Sequence, residues 1–405
     1  MSRVLRWALW GVGAGVALLA ALLALVAAVL RPGAGEWAVR LPVGVAVSGP
    51  GLLRVATHPI VLRATAGRTW RTPFGPVRWH ADGDAWVAEC APCSVARPEW
   101  GREPVAVARL TAGFQPRMGD RADGALVVGD GPEAVRGRWS AALARDGVAM
   151  SARFDDVPIA DAYTALAAVV PERRRARIAG RLDLHLGWQW PSGRLTVRHD
   201  LRGFHVDGLG TDGLVHARPS CGEPAPAGFG RWLPRAVLAA EDQRFHEHAG
   251  VDLDALAAAW SANQAHGTVV AGGSTLSQQL AKLLFTGEGR SPARKLRELL
   301  YAVELDRTLG KARVLQLYLS IAPWGEGLCG AAAAARAYLH KDVAALTPIE
   351  AAWLASLLRN PDRDRQRQLR DGHVDTARVD WVMGQMRPLP PRRARVPAAE
   401  WRPPS

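Results

Sequence analysis

Lysine is scarce in this sequence of 405 residues. All but four of the 51 basic residues are arginines, and the lysines, at positions 282, 295, 311 and 341, lie in the C-terminal half. The formal net charge is nevertheless +13, which suits an anionic partner such as nucleic acid, an acidic membrane surface or a phosphorylated substrate. We interpret the arginine excess as compositional and give more weight to the lysines, because three of them fall inside the motifs described below.

Cysteine is equally rare, with four in the chain. Cys90 and Cys93 form a Cys-Ala-Pro-Cys pair, whereas Cys221 and Cys329 stand alone. A Cys-x-x-Cys pair can mark a redox site, but no thioredoxin-like pattern of strand and helix surrounds this one. A structural disulfide or inert thiols suit an oxidising compartment, and redox chemistry and metal binding are the alternatives.

Charge is absent from Trp7 to Leu30, a run of about 24 residues that is long enough for a helix to cross a bilayer. Arg3 and Arg6 precede the run, so we predict a single-pass anchor within residues 1–35 and a cytoplasmic N-terminus. The alternative is a signal peptide cleaved near Ala27–Ala28, although the run is longer than a usual signal core. An anchor in the inner (plasma) membrane places the rest of the chain in the periplasm, which favours membrane lipid as a partner and argues against nucleic acid.

Residues 36–218 lack a convergent set of reactive side chains, and their pattern is that of a β-rich module. Polar and apolar residues alternate in Arg181–Leu186 and in Arg194–Arg198, and the Pro-Ser-Gly turn between them predicts a hairpin. One helical stretch, Ile159 to Val170, interrupts the strands. The layout resembles the extended sheets of AsmA-like envelope proteins, and we expect a scaffold or interaction module.

Residues 219–231 have the proline and glycine content of a linker, and the pattern then becomes helical, which predicts an all-α domain over 232–387. Ser291-Pro292 marks one helix start, and Thr347 with Glu350 forms a capping-box signature at another. The Pro- and Arg-rich tail, 388–405, is predicted to be disordered. The fold class is thus α+β and multidomain. The predicted helical segments are Leu253–Asn263, Ser274–Phe285, Pro292–Leu309, Lys311–Leu319 and Thr347–Leu358.

The first group of reactive side chains follows an apolar helical segment and begins with Glu241 and Asp242. Glu241, Phe245 and His248 are spaced i, i+4, i+7, so the pattern predicts that they share a helix face. A carboxylate after an apolar run is partly desolvated, which raises its pKa toward that of a general base. The alternative is an acidic helix end that faces solvent.

The second group predicts an anion site. Two glycines precede a helix start at Ser274 or Thr275, where free N–H groups and hydroxyls suit a phosphate or pyrophosphate. Gln278 and Lys282 lie one turn apart, and Arg290 follows in a short loop. The alternatives are an ordinary helix cap and a solvated surface lysine.

The third group is Arg294-Lys295-Leu296-Arg297-Glu298. Arg294 and Glu298 can meet on one helix face. Such a pair is usually a surface salt bridge worth under about 1 kcal/mol. The functional alternative is a second carboxylate held among cations that bind a leaving group.

The three groups, in this order and spacing, resemble the motif set of the family 51 glycosyltransferases, which are the monofunctional biosynthetic peptidoglycan transglycosylases and the glycosyltransferase domains of class A penicillin-binding proteins. The segment from Tyr318 to Gly327, followed by an Ala-rich stretch that ends at Lys341, is similar to the monofunctional branch. The resemblance covers about 130 residues, Trp232 to Pro361, and does not reach the β-rich module. No Ser-x-x-Lys occurs in the chain, so the acylating serine motif of penicillin-binding domains is missing.

The resemblance implies a lysozyme-like fold and the inverting polymerisation of lipid II, a disaccharide on undecaprenyl pyrophosphate, into glycan strands. Glu241 would be the general base, and Glu298 would organise cations or a divalent metal, Mg²⁺ or Mn²⁺, with no organic cofactor. Membrane lipid, transpeptidases and other cell-wall synthesis proteins are further expected partners. The resemblance implies that the substrate is bound by Asp242, Phe245, His248, Ser274, Thr275, Gln278, Gln279, Lys282, Arg290, Arg294 and Lys295.

Three positions depart from the family pattern. Ser320 stands where Asn is usual, and Gln316 and Pro323 stand where Glu is usual. These departures keep open the alternative of a catalytically impaired scaffold protein of the cell-wall synthesis machinery. A hydrolytic relative on the same fold is a further alternative, but such an enzyme needs no pyrophosphate cradle.

Overall fold

A computed structural model describes residues 20–21, 24–40, 44–95, 104–115, 120–166, 170–217, 221, 225–268, 270–289, 291–325, 327–372, 374–387 and 400–403. The chain forms two compact units. The first contains residues 1–95, 106–166 and 182–201, and the second contains residues 96–105, 167–181 and 202–405. No helix in the described ranges is both long and apolar enough to span a membrane, and most of the predicted Trp7–Leu30 span lies outside those ranges.

A nine-stranded sheet dominates the first unit, with strand order β13-β12-β11-β10-β9-β8-β5-β4-β3. The β12–β13 hairpin confirms the predicted one, and its turn is closed by a hydrogen bond from Gln189 N–H to Arg194 O (2.9 Å). Two further pairs, β1–β2 and β6–β7, stand apart. The strands are β1 Ala38–Arg40, β2 Ala46–Ser48, β3 Thr69–Thr72, β4 Gly75–Asp82, β5 Ala85–Cys90, β6 Cys93–Val95, β7 Val105–Val107, β8 Leu110–Phe114, β9 Arg121–Val128, β10 Val135–Ala144, β11 Gly147–Pro158, β12 Arg177–Trp190 and β13 Leu195–Asp207.

The two faces of this sheet differ in polarity. In the antiparallel pair β10–β11, Trp139 lies opposite Ala152, and these side chains are half-buried. On the other face Ser140 lies opposite Ser151, with their hydroxyl oxygens 2.8 Å apart in solvent. The period-two pattern thus gives one apolar and one polar face, as an antiparallel sheet requires.

The prediction of a single helix in the β-rich region is wrong. Two further helices, α1 (Gly49–Ala56) and α2 (Pro59–Thr65), precede α3 (Ile159–Ala165). Both new helices carry proline in the first turn and a capping side chain, Ser48 for α1 and His58 for α2. Both are short, with eight residues in α1 and seven in α2.

The second unit is mainly helical, as predicted. The cap at Ser291 and the capping box of Thr347 with Glu350 are confirmed. The two helices predicted on either side of Gly310 are confirmed, because the backbone at Gly310 is not helical (φ 72°, ψ 161°) and divides α7 into two helical segments. The helices are α4 Leu233–Glu241, α5 Leu253–His266, α6 Leu276–Ala281, α7 Pro292–Ile321, α8 Ala331–Leu339, α9 Pro348–Leu357, α10 Pro361–Asp371 and α11 Thr376–Gln385.

Residues 202–217, which the sequence placed in the β-rich module, lie in the second unit. The buried Glu304 of α7 accepts hydrogen bonds from the N–H groups of Leu209 (2.8 Å) and Thr211 (3.2 Å) and from the Thr211 hydroxyl (3.0 Å). Arg313 donates to the carbonyls of Leu214 and Ala217. By these contacts, the helical unit begins before the linker at residues 219–231.

Disulfides join Cys90 to Cys93 and Cys221 to Cys329. The first closes a short turn in the first unit, and the second ties the linker region to the segment between α7 and α8. Both suit the oxidising compartment that the sequence indicates.

Candidate active site

Glu241 is the last residue of α4, because the backbone at Asp242 leaves helical geometry (φ −158°, ψ 77°). The buried Asp242 accepts a hydrogen bond at Oδ2 from the N–H of Leu276, 2.8 Å away at the start of α6. This long-range bond holds the chain where another helical turn would otherwise follow. The predicted helix face shared by Glu241, Phe245 and His248 is therefore wrong, since the residues after Asp242 form turns.

The Glu241 carboxylate is oriented by a short hydrogen-bonded chain. The Nε2 of Gln279, on α6, donates to Glu241 Oε2 at 3.0 Å, and the hydroxyl of Tyr318, on α7, donates to Gln279 Oε1 at 2.8 Å. Burial raises the pKa of the Glu241 carboxyl, and the Gln279 hydrogen bond and the charge of Arg378 oppose that rise. A desolvated carboxylate with a fixed orientation has the properties of a general base.

Asp242, Phe245 and His248 hold the segment after Glu241 in place. His248 Nε2 lies 3.1 Å from Asp242 Oδ1. Phe245 is buried beneath the ammonium group of Lys311, which lies 4.5 Å from the ring centre and 3.4 Å from His248 Nδ1. The three predicted site residues thus connect this segment to α6 and α7.

Thr275 and Gln278 form the capping box of α6. Gln278 N–H donates to Thr275 Oγ1 (3.1 Å), and Thr275 N–H donates to Gln278 Oε1 (2.9 Å). The Thr275 hydroxyl also donates to Gly250 O (2.6 Å). Gly250 is required there, because its φ is +87° and a Cβ would clash with the carbonyl of Ala302. The side-chain oxygens of Thr275 and Gln278 are therefore already hydrogen-bonded within the protein.

Glu298, on the first turns of α7, is a second buried carboxylate. It forms an ion pair with Arg294, and its Oε2 lies 3.3 Å from Lys295 Nζ. Lys295 also donates to the hydroxyl of Ser274 at 2.6 Å, which joins α7 to the start of α6. Burial and the charges of Arg294 and Lys282 lower the pKa of the Lys295 ammonium to about 8.

Lys282 lies close enough to Lys295 for its positive charge to lower the pKa of the Lys295 ammonium. It stands at the C-terminal end of α6, where a single π-helical turn, Lys282–Thr286, replaces the rest of the predicted Ser274–Phe285 helix. Arg290, the remaining predicted cation, lies outside the described residues.

The protein side chains alone do not fit a divalent metal at Glu298. The part of the chain that the structure describes holds no group of three or more His, Cys, Asp or Glu side chains suited to a metal ion. The oxygens of Glu298 already face Arg294 and Lys295, whereas Mg²⁺ and Mn²⁺ prefer several oxygen ligands.

Two residues near Glu241 are not among the predicted site residues. Tyr318 lies in the segment that is similar to the monofunctional branch, and its hydrogen bond to Gln279 places it at the site. Arg378 of α11 donates from Nη2 to Ala240 O at 2.9 Å, and burial lowers the pKa of its guanidinium. No local pattern points to Arg378, because 138 residues separate it from Ala240.

Residues 226–387 match the family model described as Transglycosylase. The resemblance to the family 51 glycosyltransferases is confirmed over these residues.

Several curated relatives are named biosynthetic peptidoglycan transglycosylase. The protein of Nitrosomonas eutropha is 46% identical over 129 residues, 32% of this chain and 53% of the relative. That of Chromobacterium violaceum is 46% identical over 129 residues, 32% of this chain and 57% of the relative. That of Klebsiella oxytoca is 44% identical over 158 residues, 39% of this chain and 64% of the relative. The chain thus spans a little over half to just under two thirds of these relatives' lengths.

Proposed function

We propose that this chain is a peptidoglycan glycosyltransferase that polymerises lipid II into glycan strands and releases undecaprenyl pyrophosphate. The observation that carries the proposal is the contrast between two carboxylates on either side of α6. Glu241 has a raised pKa and a single orienting amide, whereas Glu298 is paired with two cations. Such a division between a base and a charge-organising acid suits transfer with an anionic leaving group.

In the proposed reaction Glu241 accepts the proton of the acceptor sugar's 4-hydroxyl as that oxygen attacks the donor's anomeric carbon. The new bond joins the 4-oxygen to the anomeric carbon, and the bond from that carbon to the pyrophosphate oxygen breaks with its electron pair. Because the displacement is direct, the anomeric configuration inverts. Gln279 and Tyr318 would hold the Glu241 carboxylate in a fixed orientation during this step.

The departing pyrophosphate would be stabilised by Arg294, Lys295 and Lys282. Arginine offers a bidentate fork and lysine a compact charge, and both suit phosphate oxygens. Glu298 would keep the first two cations in position before the substrate arrives. A divalent cation at Glu298 is a proposal in which the substrate's oxygens would supply most of the ligands.

We further propose that residues 1–35 anchor the chain in the inner membrane with the C-terminal domain in the periplasm. The uncharged run and the preceding arginines support this topology, as do the two disulfides. A reporter that is active only in the periplasm, fused after Ser405, should be active. Activity of a cytoplasmic reporter alone at that position would reverse the topology.

The alternative of an impaired scaffold receives little support from the three departures. The Ser320 hydroxyl donates to Gln316 O one turn earlier (2.8 Å), and Gln316 Oε1 accepts from Arg313 (2.8 Å). Beyond the end of α7, Pro323 pairs with Cys329 in an isolated antiparallel β-bridge. No described hydrogen bond or ion pair links these three residues to Glu241 or Glu298. The cations around Glu298 also disfavour a hydrolytic relative, which would have no pyrophosphate to bind.

The deciding experiment is Glu241→Gln in a size-resolved assay with labelled lipid II. Glutamine keeps the size of the side chain but cannot accept the proton, and loss of a general base typically costs about 100- to 10,000-fold in rate. Glu247→Gln is the matched control, because Glu247 has an exposed side chain (69%) in the same segment. Long glycan products from folded Glu241→Gln protein would overturn the mechanism.

A further inference from the structure

A cavity of about 190 Å³ is lined by residues of α9, α10 and α11, and its lining does not include the cations around Glu298. Four arginines line it: Arg359, Arg363, Arg367 and Arg378. Arg363 and Arg367 lie one turn apart on α10, and Arg359 lies in the turn between α9 and α10. We refer to this space as the arginine cavity.

The acidic residues of the arginine cavity do not neutralise all of its charge. Asp364 pairs with Arg363 at 3.0 Å, and Asp375 caps α11 by accepting from the N–H of Arg378 at 2.9 Å. Arg359 and Arg367 form no hydrogen bond or ion pair with the described part of the chain. Two guanidinium groups are therefore available to an anion.

Unsatisfied polar atoms are a second feature of this cavity. Among the described residues, the buried Nε of Arg378 has no hydrogen-bond acceptor, and the buried Oε1 of Gln368 has no donor. Both residues line the arginine cavity. A buried donor without a partner is unfavourable, and an anion that accepts the hydrogen bond of Arg378 removes that penalty. The Gln368 oxygen requires a donor instead, so the Arg378 donor alone favours an anion.

We propose that the arginine cavity binds a phosphate-bearing group. Guanidinium groups bind phosphate oxygens through paired hydrogen bonds, and the cavity presents two such groups that have no hydrogen-bond or ion-pair partner among the described residues. The site adjoins the catalytic residue, because Arg378 contacts Ala240 and its charge acts on Glu241. The phosphate comes either from the pyrophosphate of a lipid-linked substrate or from a phospholipid headgroup.

A binding measurement tests the cavity without reference to catalysis. Inorganic pyrophosphate is titrated calorimetrically into the full-length protein in neutral detergent, and into the Arg359→Ala/Arg367→Ala variant. We expect the variant to lose one binding equivalent or to bind about 10- to 100-fold more weakly, since charge-assisted hydrogen bonds are lost. Arg370→Ala is the matched control, because it removes the same charge from α10 outside the cavity lining.

Unchanged stoichiometry and affinity in the double variant would overturn the proposal. Thermal unfolding establishes that each variant is folded. If the alanine pair fails to fold, Arg359→Gln/Arg367→Gln removes the charges while keeping most of the side-chain volume.

Activity on lipid II distinguishes the two sources of the phosphate. This part of the experiment rests on the proposed function. In phosphatidylcholine vesicles, a higher KM with little change in kcat for the double variant assigns the cavity to a substrate. An effect confined to vesicles that also contain phosphatidylglycerol assigns it to a headgroup. A wild-type chain inactive on lipid II would count against the proposed function, and the pyrophosphate titration would still decide the cavity.

Discussion

At the scale of single residues, the environment of Glu241 predicts the pH dependence of the reaction. The base must be deprotonated, and burial raises its pKa above the ordinary glutamate value of about 4.3. Activity should therefore fall on the acid side at a higher pH than an exposed glutamate would give. The acid limb of kcat/KM reports this ionisation in the free enzyme. A limb at or below the ordinary value would contradict the desolvated environment.

Tyr318 offers a second residue-scale test. Tyr318→Phe removes the hydroxyl that fixes the Gln279 amide, so the bond from Gln279 that lowers the pKa of Glu241 should weaken. We expect a kcat about 10-fold lower, a smaller effect than the about 100- to 10,000-fold cost of losing the base itself, and an acid limb shifted to higher pH. The measurement is kcat/KM against pH.

Tyr338→Phe is the control for that change. The Tyr338 hydroxyl is also buried, but it donates to the Trp324 carbonyl (2.9 Å) rather than toward Glu241. Both variants should lose about 1 kcal/mol of stability, and Tyr338→Phe should leave the pH profile unchanged. Equal shifts in both variants would mean that Tyr318 acts only through stability.

The sequence predicted the site's charged groups better than the bonds between them. Glu241, Glu298, Arg294 and Lys295 are recognisable because they recur in short motifs. The link from Tyr318 to Gln279 spans 39 residues, and no local spacing specifies it. The same reason explains the wrong helix face after Glu241, where the competing hydrogen-bond partner lies 34 residues away.

At the scale of elements, helix starts were predictable because a cap involves only neighbouring residues. The break at Gly310 was predictable for the same reason, because glycine at a positive φ, here 72°, commonly ends a helix. The way in which the two segments of α7 are held in place depends on tertiary contacts. Contacts on both sides of Gly310 hold α7 to the same segment, Glu304 to Thr211 and Arg313 to Leu214.

Glu304 provides the element-scale prediction. Glu304→Ala leaves the N–H groups of Leu209 and Thr211 without acceptors, and a buried unpaired donor costs about 1–3 kcal/mol. The unfolding midpoint of the helical unit should fall, as measured by scanning fluorimetry. Glu288→Ala is the control, because Glu288 is exposed and its loss should have little effect. Similar midpoints for the two variants would show that Glu304 does not hold α7 to the preceding segment.

At the scale of the whole molecule, two compact units predict where the chain can be cut. The helical unit includes residues 167–181 as well as 202–217. Within this unit, Arg297, the residue before Glu298 on α7, forms an ion pair with the buried Glu172 (2.6 Å). Removing all of residues 36–218 would leave the buried Glu304 without its partners and would remove the partner of Arg297.

The final prediction compares two truncations that both keep the proposed anchor. One lacks residues 36–218, and the other lacks 36–166 and replaces 182–201 by a short Gly-Ser turn. We expect the second to fold with one cooperative unfolding transition and to polymerise lipid II, because it keeps the segments that contact α7. The first should unfold at a lower temperature and lose activity with its fold. If both truncations have the same stability and activity, the helical unit does not need residues 167–181 and 202–218. These residues would then belong functionally to the β-rich module. If the second folds and is inactive, the sheet itself contributes to catalysis.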